Sequence, residues 1–145
     1  MGRWARKVDE NDVYKISEES AEELVREVLD HYEIDPQRND PEQEKIVEET
    51  LNDLLKAYRR GALENRKDDN GLTVIQHLKN GKNLEYRELG GKDRICMEGF
   101  DNTRPYSRSY AILGKLCGLG EDAIMKLKGQ DWKTAETLAV VFMMV

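Results

Sequence analysis

Residues 103–145 read TRPYSRSYAILGKLCGLGEDAIMKLKGQDWKTAETLAVVFMMV, a stretch that is rich in apolar residues and poor in charge. Its first part predicts a helix from about Pro105, and Gly118-Leu119-Gly120 breaks that helix. A short helix over 121–127 follows and ends at Gly129, and Asp131 is placed to cap a final helix. The stretch therefore predicts a C-terminal segment of three helices, against which the rest of the chain can pack.

Two acidic amphipathic helices are predicted upstream. Ser20 with Glu23 three residues later forms a capping-box pattern, and Asp35-Pro36 marks the end of that helix. Asp40 caps the second helix and Pro41 takes its first position. The apolar face of the second helix is expected to consist of Ile46, Val47, Leu51, Leu54, Leu55 and Tyr58. The short polar link between the helices favours an antiparallel pair.

The remaining segments change from helical to strand periodicity. Residues 4–8 and 13–16 flank a turn-rich tetrapeptide and predict an N-terminal hairpin. The turn signals at 68–71 and at Asn80-Gly81 delimit strands over 72–78 and 84–89, with 63–67 as a possible third strand. Residues 92–100 fit a short helix or a strand equally well.

Together these elements predict an α+β fold in a single domain, 1–145. It consists of a hairpin with an acidic helix pair over 1–64, a β-meander over 65–100 and the helical segment over 101–145.

Composition limits the classes of function. The chain carries a net charge of −6, with 39% hydrophobic and 36% charged residues, which favours a soluble protein and opposes bulk phosphate binding. The longest apolar run, 138–145, is far shorter than the ~20 residues that cross a bilayer. The N-terminus does not resemble a signal peptide. Cys96 and Cys117 form no CxxC pattern, so we expect reduced thiols and a cytoplasmic location.

Motifs for catalysis, cofactors and metals are not found in the sequence. His31 and His77 lie far apart, and the chain carries neither a GxxxxGK[ST] nor a GxGxxG pattern. Residues 68–71 begin like a calcium loop but lack its closing glutamate. Cys96 is expected to act as a small hydrophobic residue. We therefore predict that the protein is not an enzyme and binds neither a cofactor nor a metal.

The last eight residues, LAVVFMMV, are apolar around the whole helix circumference. Such a segment is buried either in its own domain or against another molecule. The sequence leaves both possibilities open.

Residues 72–142 resemble the tail assembly chaperones of long-tailed bacteriophages. The similarity begins with TVIQHL at 73–78, Asn80-Gly81-Lys82, YREL at 86–89 and Lys92-Asp93, which look like the opening hairpin of that family. It continues with AILGKLCGL at 111–119, AIMKL at 123–127 and Gln130-Asp131-Trp132, which look like its closing helices.

The resemblance implies a non-enzymatic protein in the host cytoplasm that binds and solubilises the tape-measure protein during tail assembly. A tail-tube subunit is the other implied partner, and a homo-oligomer is possible. We expect the partner surface to include residues near the C-terminus, which are Trp132, Leu138, Val141, Phe142 and Met143.

Two other functions remain open. One is a different phage structural or morphogenesis protein. The other is a small nucleic-acid-binding regulator, which the acidic composition disfavours. It would need Arg104, Arg108, Lys115, Lys126 and Lys128 to share one face.

Overall fold

The computed structural model describes residues 14–36, 40–69, 71–97 and 105–144. Two helices, α1 (Glu18–His31) and α2 (Pro41–Arg59), precede three strands, β1 (Leu63–Asp68), β2 (Gly71–His77) and β3 (Asn83–Tyr86). A 3-10 helix, Gly91–Met97, leads to α3 (Pro105–Cys117), α4 (Glu121–Met125) and α5 (Gly129–Met143). The predicted α+β fold is confirmed. The predicted N-terminal hairpin falls mainly on residues outside the described part of the chain.

The N-terminal boundaries of the helices depend on side chains that accept backbone N–H groups. Asp40 accepts the N–H of Glu42 at 3.0 Å, so the predicted cap of α2 is confirmed. The predicted cap of α1 was wrong, because Ser17 rather than Ser20 takes this role. The hydroxyl of Ser17 accepts the N–H of Ser20 at 3.1 Å, and Ser20 itself lies in the first turn.

Asp131 is also not the cap of the last helix. Helix α5 begins at Gly129, and Asp131 lies in its first turn. The two carboxylate oxygens of Asp131 accept the backbone N–H of Lys79 at 3.2 and 3.3 Å. The side chain predicted to start a helix therefore joins α5 to the turn between β2 and β3.

The sheet is antiparallel with the strand order β1-β2-β3. Leu63 pairs with Gln76, and Val74 pairs with Tyr86, so the possible third strand is confirmed as β1. Strand β3 ends at Tyr86, earlier than the predicted Leu89. The N–H of the next residue, Arg87, donates to the carbonyl of Leu116 at 3.2 Å, which draws the chain away from the sheet towards α3.

The segment before α1 is held by the end of α2. The N–H groups of Lys15 and Ile16 donate to the carbonyl of Arg59 at 2.6 and 3.3 Å. The guanidinium of Arg59 lies 4.0 Å from the ring centroid of Tyr14, a cation–π contact. The start of α1 and the end of α2 therefore lie side by side, as an antiparallel pair requires.

The hydrophobic core lies between the sheet and the helices and includes residues from α1, α2, α3, α4 and α5. Phe142 belongs to this core, and its ring packs edge-on against Tyr32 with centroids 6.2 Å apart and lies 6.3 Å from Tyr86. A buried hydrogen-bond chain crosses this core. The hydroxyl of Tyr86 donates to Gln76 at 2.8 Å, and the Gln76 amide donates to the carbonyl of Asp131 at 2.7 Å.

Candidate functional site

A shallow apolar groove of about 410 Å³ lies between the N-terminal half of α2 and the C-terminal end of α5. We call it the methionine groove. Its lining residues are Gln43, Ile46, Val47, Val140, Met143 and Met144.

The two walls of the methionine groove share one helical spacing. Gln43, Ile46 and Val47 lie at i, i+3 and i+4 on α2, and Val140, Met143 and Met144 repeat this spacing at the end of α5. Residues at these intervals are neighbours along one face of a helix. Two such faces side by side leave a furrow into which the side chains of a third helix can pack.

The exposure of these side chains leaves apolar surface uncovered. Ile46 is 55% exposed, whereas the adjacent Val47 is only 6% exposed and anchors the wall to the core. Met143 and Met144 are partly buried, with exposure between these two extremes. Methionine has an unbranched, flexible side chain that adapts to different partners. The groove therefore combines a buried, fixed side chain, Val47, with two flexible ones, Met143 and Met144.

The charges beside the methionine groove are mostly negative. Glu42, Glu44, Glu48 and Glu49 are exposed on the same stretch of α2, together with Lys45. These carboxylates keep the surface hydrated around the apolar strip. They also favour a ligand that carries lysine or arginine next to its apolar residues.

The residues predicted to contact a partner divide into two groups. Leu138, Val141 and Phe142 are 1%, 0% and 1% exposed, so they belong to the core. Met143 lines the methionine groove, and Trp132 is partly buried, with its indole N–H donating to the hydroxyl of Tyr110 at 3.0 Å. A partner role for the five residues stays a prediction, for which only Trp132 and Met143 offer surface in this fold.

Sequence analysis did not select the other residues of the groove, although it placed Ile46 and Val47 on the apolar face of α2. The missing signal was the matched spacing of 43, 46, 47 and 140, 143, 144. That signal identifies a groove only when α2 and α5 are known to be neighbours.

A second depression, of about 290 Å³, lies between α1 and α2. Its floor contains Val25, Leu29, Ile34, Leu51 and Leu55, and its mouth is bordered by Glu22, Arg26 and Asp30. Val25 and Ile34 are buried parts of the core. This depression also lies between two helices, but it is smaller than the methionine groove, at about 290 Å³ against about 410 Å³.

A polar cluster holds the 3-10 helix against the sheet. Arg87 donates to both carboxylate oxygens of Asp93, at 2.6 and 2.9 Å, and the N–H of Gly90 donates to Asp93 at 2.8 Å. The hydrogen bonds from Arg87 hold the pKa of Asp93 below its usual range. The 5% exposure of the Asp93 side chain makes these bonds structurally important.

Tyr32 and His31 join this cluster from α1. The hydroxyl of Tyr32 accepts the N–H of Leu89 at 2.9 Å, and burial raises the pKa of Tyr32. His31 contacts the carboxylate of Glu88. These contacts attach α1 to the segment after β3, so we assign the cluster a structural role.

Within 14–36, 40–69, 71–97 and 105–144, no helix has the length and apolar character needed to cross a membrane. Over the same residues, no group of three or more His, Cys, Asp or Glu side chains is arranged to hold a metal ion.

No family model, curated protein or solved structure matches this chain.

Proposed function

We propose that this protein is a non-enzymatic tail assembly chaperone that binds a helical segment of a tape-measure protein in the methionine groove. The groove is the observation that supports this proposal: an uncovered apolar strip formed by two helices and bordered by carboxylates. The resemblance of residues 72–142 to phage tail assembly chaperones supplies the identity of the partner.

The groove has the chemistry of helix recognition. An amphipathic helix binds such a furrow through apolar residues spaced at i, i+3 and i+4. The exposed part of Ile46 and the flexible ends of Met143 and Met144 would be covered by these residues. Glu42, Glu44 and Glu48 would meet lysine or arginine on the flanks of the partner helix.

The size of the groove sets the expected affinity. An i to i+4 span covers about 6 Å along a helix, so each groove contacts one or two turns of the partner. One site of this size binds weakly. A long helical partner offers many such sites, and neighbouring copies on it raise the overall avidity without any further contact within one site.

The nucleic-acid alternative receives less support from the positions of its cations. Lys115 lines a hollow with Arg87 and Glu121, whereas Lys126 and Lys128 line a different cleft beside Lys79. Arg104 lies outside the described residues. The cations that this function would need on one face are therefore divided between two surfaces. A different phage structural or morphogenesis role would use the same protein-binding groove with another partner.

The test is co-expression of this chain with the longest open reading frame just downstream in its source genome. The soluble fraction of that product and its co-purification with this chain are measured. Ile46→Glu places a charge in the groove, and Ile95→Glu is the matched control, because Ile95 is 61% exposed against 55% for Ile46 and lies outside the groove.

We expect the wild type and Ile95→Glu to keep the downstream product in solution, and Ile46→Glu to weaken binding at least about tenfold. Both variants should retain the circular dichroism and unfolding midpoint of the wild type. The proposal fails if the downstream product is soluble alone, if it does not bind the wild type, or if the two isoleucine variants behave alike.

A further inference from the structure

A second surface of the molecule is strongly basic, although the chain as a whole carries a net charge of −6. A cleft of about 700 Å³ is lined by Lys15 before α1, the segment just after α2, the turn after β2 and the link between α4 and α5. We call it the lysine cleft. Its cationic lining residues are Lys15, Arg60, Lys79, Lys126 and Lys128.

The five cations of the lysine cleft form no ion pair with another described residue. The ion pairs among the described residues involve His31, Arg66, His77 and Arg87, of which His77 also lines the cleft and contacts Glu64. The carboxylate in the cleft lining, Asp131, accepts the backbone N–H of Lys79. Arg60 also lines a neighbouring hollow, whose other charged lining residues are Lys56, Lys133 and Asp53. Among its described lining residues, the cleft therefore carries five cationic side chains against the single carboxylate of Asp131, which leaves a net positive surface.

The complementary surface lies on the same helix but at its other end. Asp40, Glu42, Glu44, Glu48 and Glu49 are exposed at the start of α2, with Lys45 among them. We call this group the acidic tip. The lining residues Gln43, Ile46 and Val47 of the methionine groove alternate with these charges along α2, so Glu42, Glu44 and Glu48 belong to the acidic tip and also flank the groove.

The acidic tip cannot reach the lysine cleft of its own molecule. A rise of 1.5 Å per residue puts Glu44 and Arg60 about 24 Å apart along α2. The Debye length at physiological salt is only about 8 Å, so the two charged regions scarcely interact within one copy. The acidic tip and the lysine cleft can therefore pair with each other only when they belong to different copies.

We propose that the lysine cleft binds the acidic tip of a second copy of this chain, in a head-to-tail arrangement. Such a contact joins two different surfaces and leaves a free tip and a free cleft at the ends, so further copies can add. It is formed mainly by exposed lysines and glutamates, which steer association more than they stabilise it. The self-association is therefore weak and sensitive to salt.

The composition of the cleft favours a protein ligand over a nucleic acid. Among the described residues, its lining contains Ala62, Leu78 and Leu127 and none of the Phe, Tyr or Trp rings on which single-stranded bases stack. The acidic tip, in contrast, is present at the same concentration as the cleft in every solution of the protein. The inference does not depend on the proposed function, because it requires only this chain.

The experiment is sedimentation velocity of the full chain at several concentrations in ~0.01 M and ~1 M salt, where the Debye length falls from about 30 to 3 Å. We expect a mass above the monomer value of 16.8 kDa at low salt, rising with concentration, and the monomer value at high salt. A wild type that stays monomeric at low salt would overturn the proposal.

Charge reversal identifies the surfaces. Lys126→Glu with Lys128→Glu reverses the cleft, and Glu44→Lys with Glu48→Lys reverses the tip; all four side chains are exposed. Each double variant alone should associate at least about tenfold more weakly than the wild type. An equimolar mixture of the two should associate again, since each then meets an opposite charge.

Lys67→Glu with Lys92→Glu is the matched control, because it changes the net charge as the cleft variant does and its two lysines lie outside the cleft. This control should associate like the wild type, and circular dichroism should show all variants folded. The proposal is wrong if the control also becomes monomeric or if the mixture does not associate. Binding of the wild type and the cleft variant to a DNA duplex is measured as well. The proposal is also wrong if the cleft variant binds the duplex more weakly than the wild type but self-associates equally well.

Discussion

Replacing Phe142 by alanine tests whether the apolar end of α5 belongs to the core or to an interface. The Phe142 side chain is 1% exposed and contacts the rings of Tyr32 and Tyr86. A buried Phe→Ala substitution removes about 3–5 kcal/mol through lost burial and the cavity that remains. The lost aromatic pairs, worth about 0.5–1.5 kcal/mol each beyond their area, place this site in the upper part of that range.

The assay is equilibrium unfolding in urea, followed by circular dichroism. A loss of this size is a large share of the roughly 5–15 kcal/mol by which a domain is stable, so the midpoint should fall strongly while the m-value stays constant. The thermal midpoint should fall by about 10 °C or more. Aspartate at position 142 would unfold the protein, so it cannot report on partner binding.

Met143→Ala is the internal control, because the next residue along α5 is only partly buried and lines the methionine groove. We expect it to cost less than about 1.5 kcal/mol, well below the cost of a fully buried methionine. The reasoning would be refuted if Phe142→Ala cost less than about 1 kcal/mol while Met143→Ala cost more. Such a result would mean that the last turns of α5 are rotated, with Phe142 facing outwards.

Two further predictions concern the chain after β3. Asp93→Asn should destabilise the fold by roughly 1–3 kcal/mol, because it weakens charged hydrogen bonds to Arg87 and to the Gly90 N–H. Since the pKa of Asp93 is lowered in the folded state, its stabilisation is present above about pH 4, the ordinary range of the group, and is lost as the pH falls through the folded pKa. Urea unfolding from pH 7 to pH 2 should therefore show the difference between wild type and Asp93→Asn shrinking in acid, and a difference that grows there would contradict the assignment. Gly114→Ala should destabilise by about 1–3 kcal/mol, because its Cβ would lie 2.4 Å from backbone atoms of Gly120 and Glu121. Gly91→Ala meets nothing within 4 Å and is the control, so equal unfolding midpoints for the two alanine variants would refute the close approach.

The sequence predicted the elements of the fold better than their ends. Asp40-Pro41 was found correctly because cap and proline coincide at one position. Ser17 and Ser20 both suit a cap, and propensity alone does not choose between them. Strand β3 ends at Tyr86 because Arg87 bonds to Leu116, a contact between residues distant in the sequence. Local patterns do not contain information of this kind.

The candidate site was predictable only in part, for a related reason. LAVVFMMV is apolar all round, so its periodicity does not indicate which side faces the core. The neighbours of α5 decide this: Val141 and Phe142 are buried, while Val140 and Met143 line the groove. Ile46 likewise belongs to an apolar stripe of which only part is covered. The lysine cleft combines residues from four separate segments, so its charge was not visible along the chain.

The position of α5 in the order of synthesis has a consequence for folding in the cell. Gln76 and Tyr86 are fully buried, and Gln76 donates to the carbonyl of Asp131 in α5. The ribosome makes α5 after all the other described helices and strands, so the sheet emerges before its hydrogen-bond partner and its apolar cover exist. Contacts so distant in sequence form late and slowly. We therefore expect the uncovered sheet to be open to misassociation with other chains during translation. The fold can be completed only after the residues up to Met143 have been made, because α5 then covers the sheet.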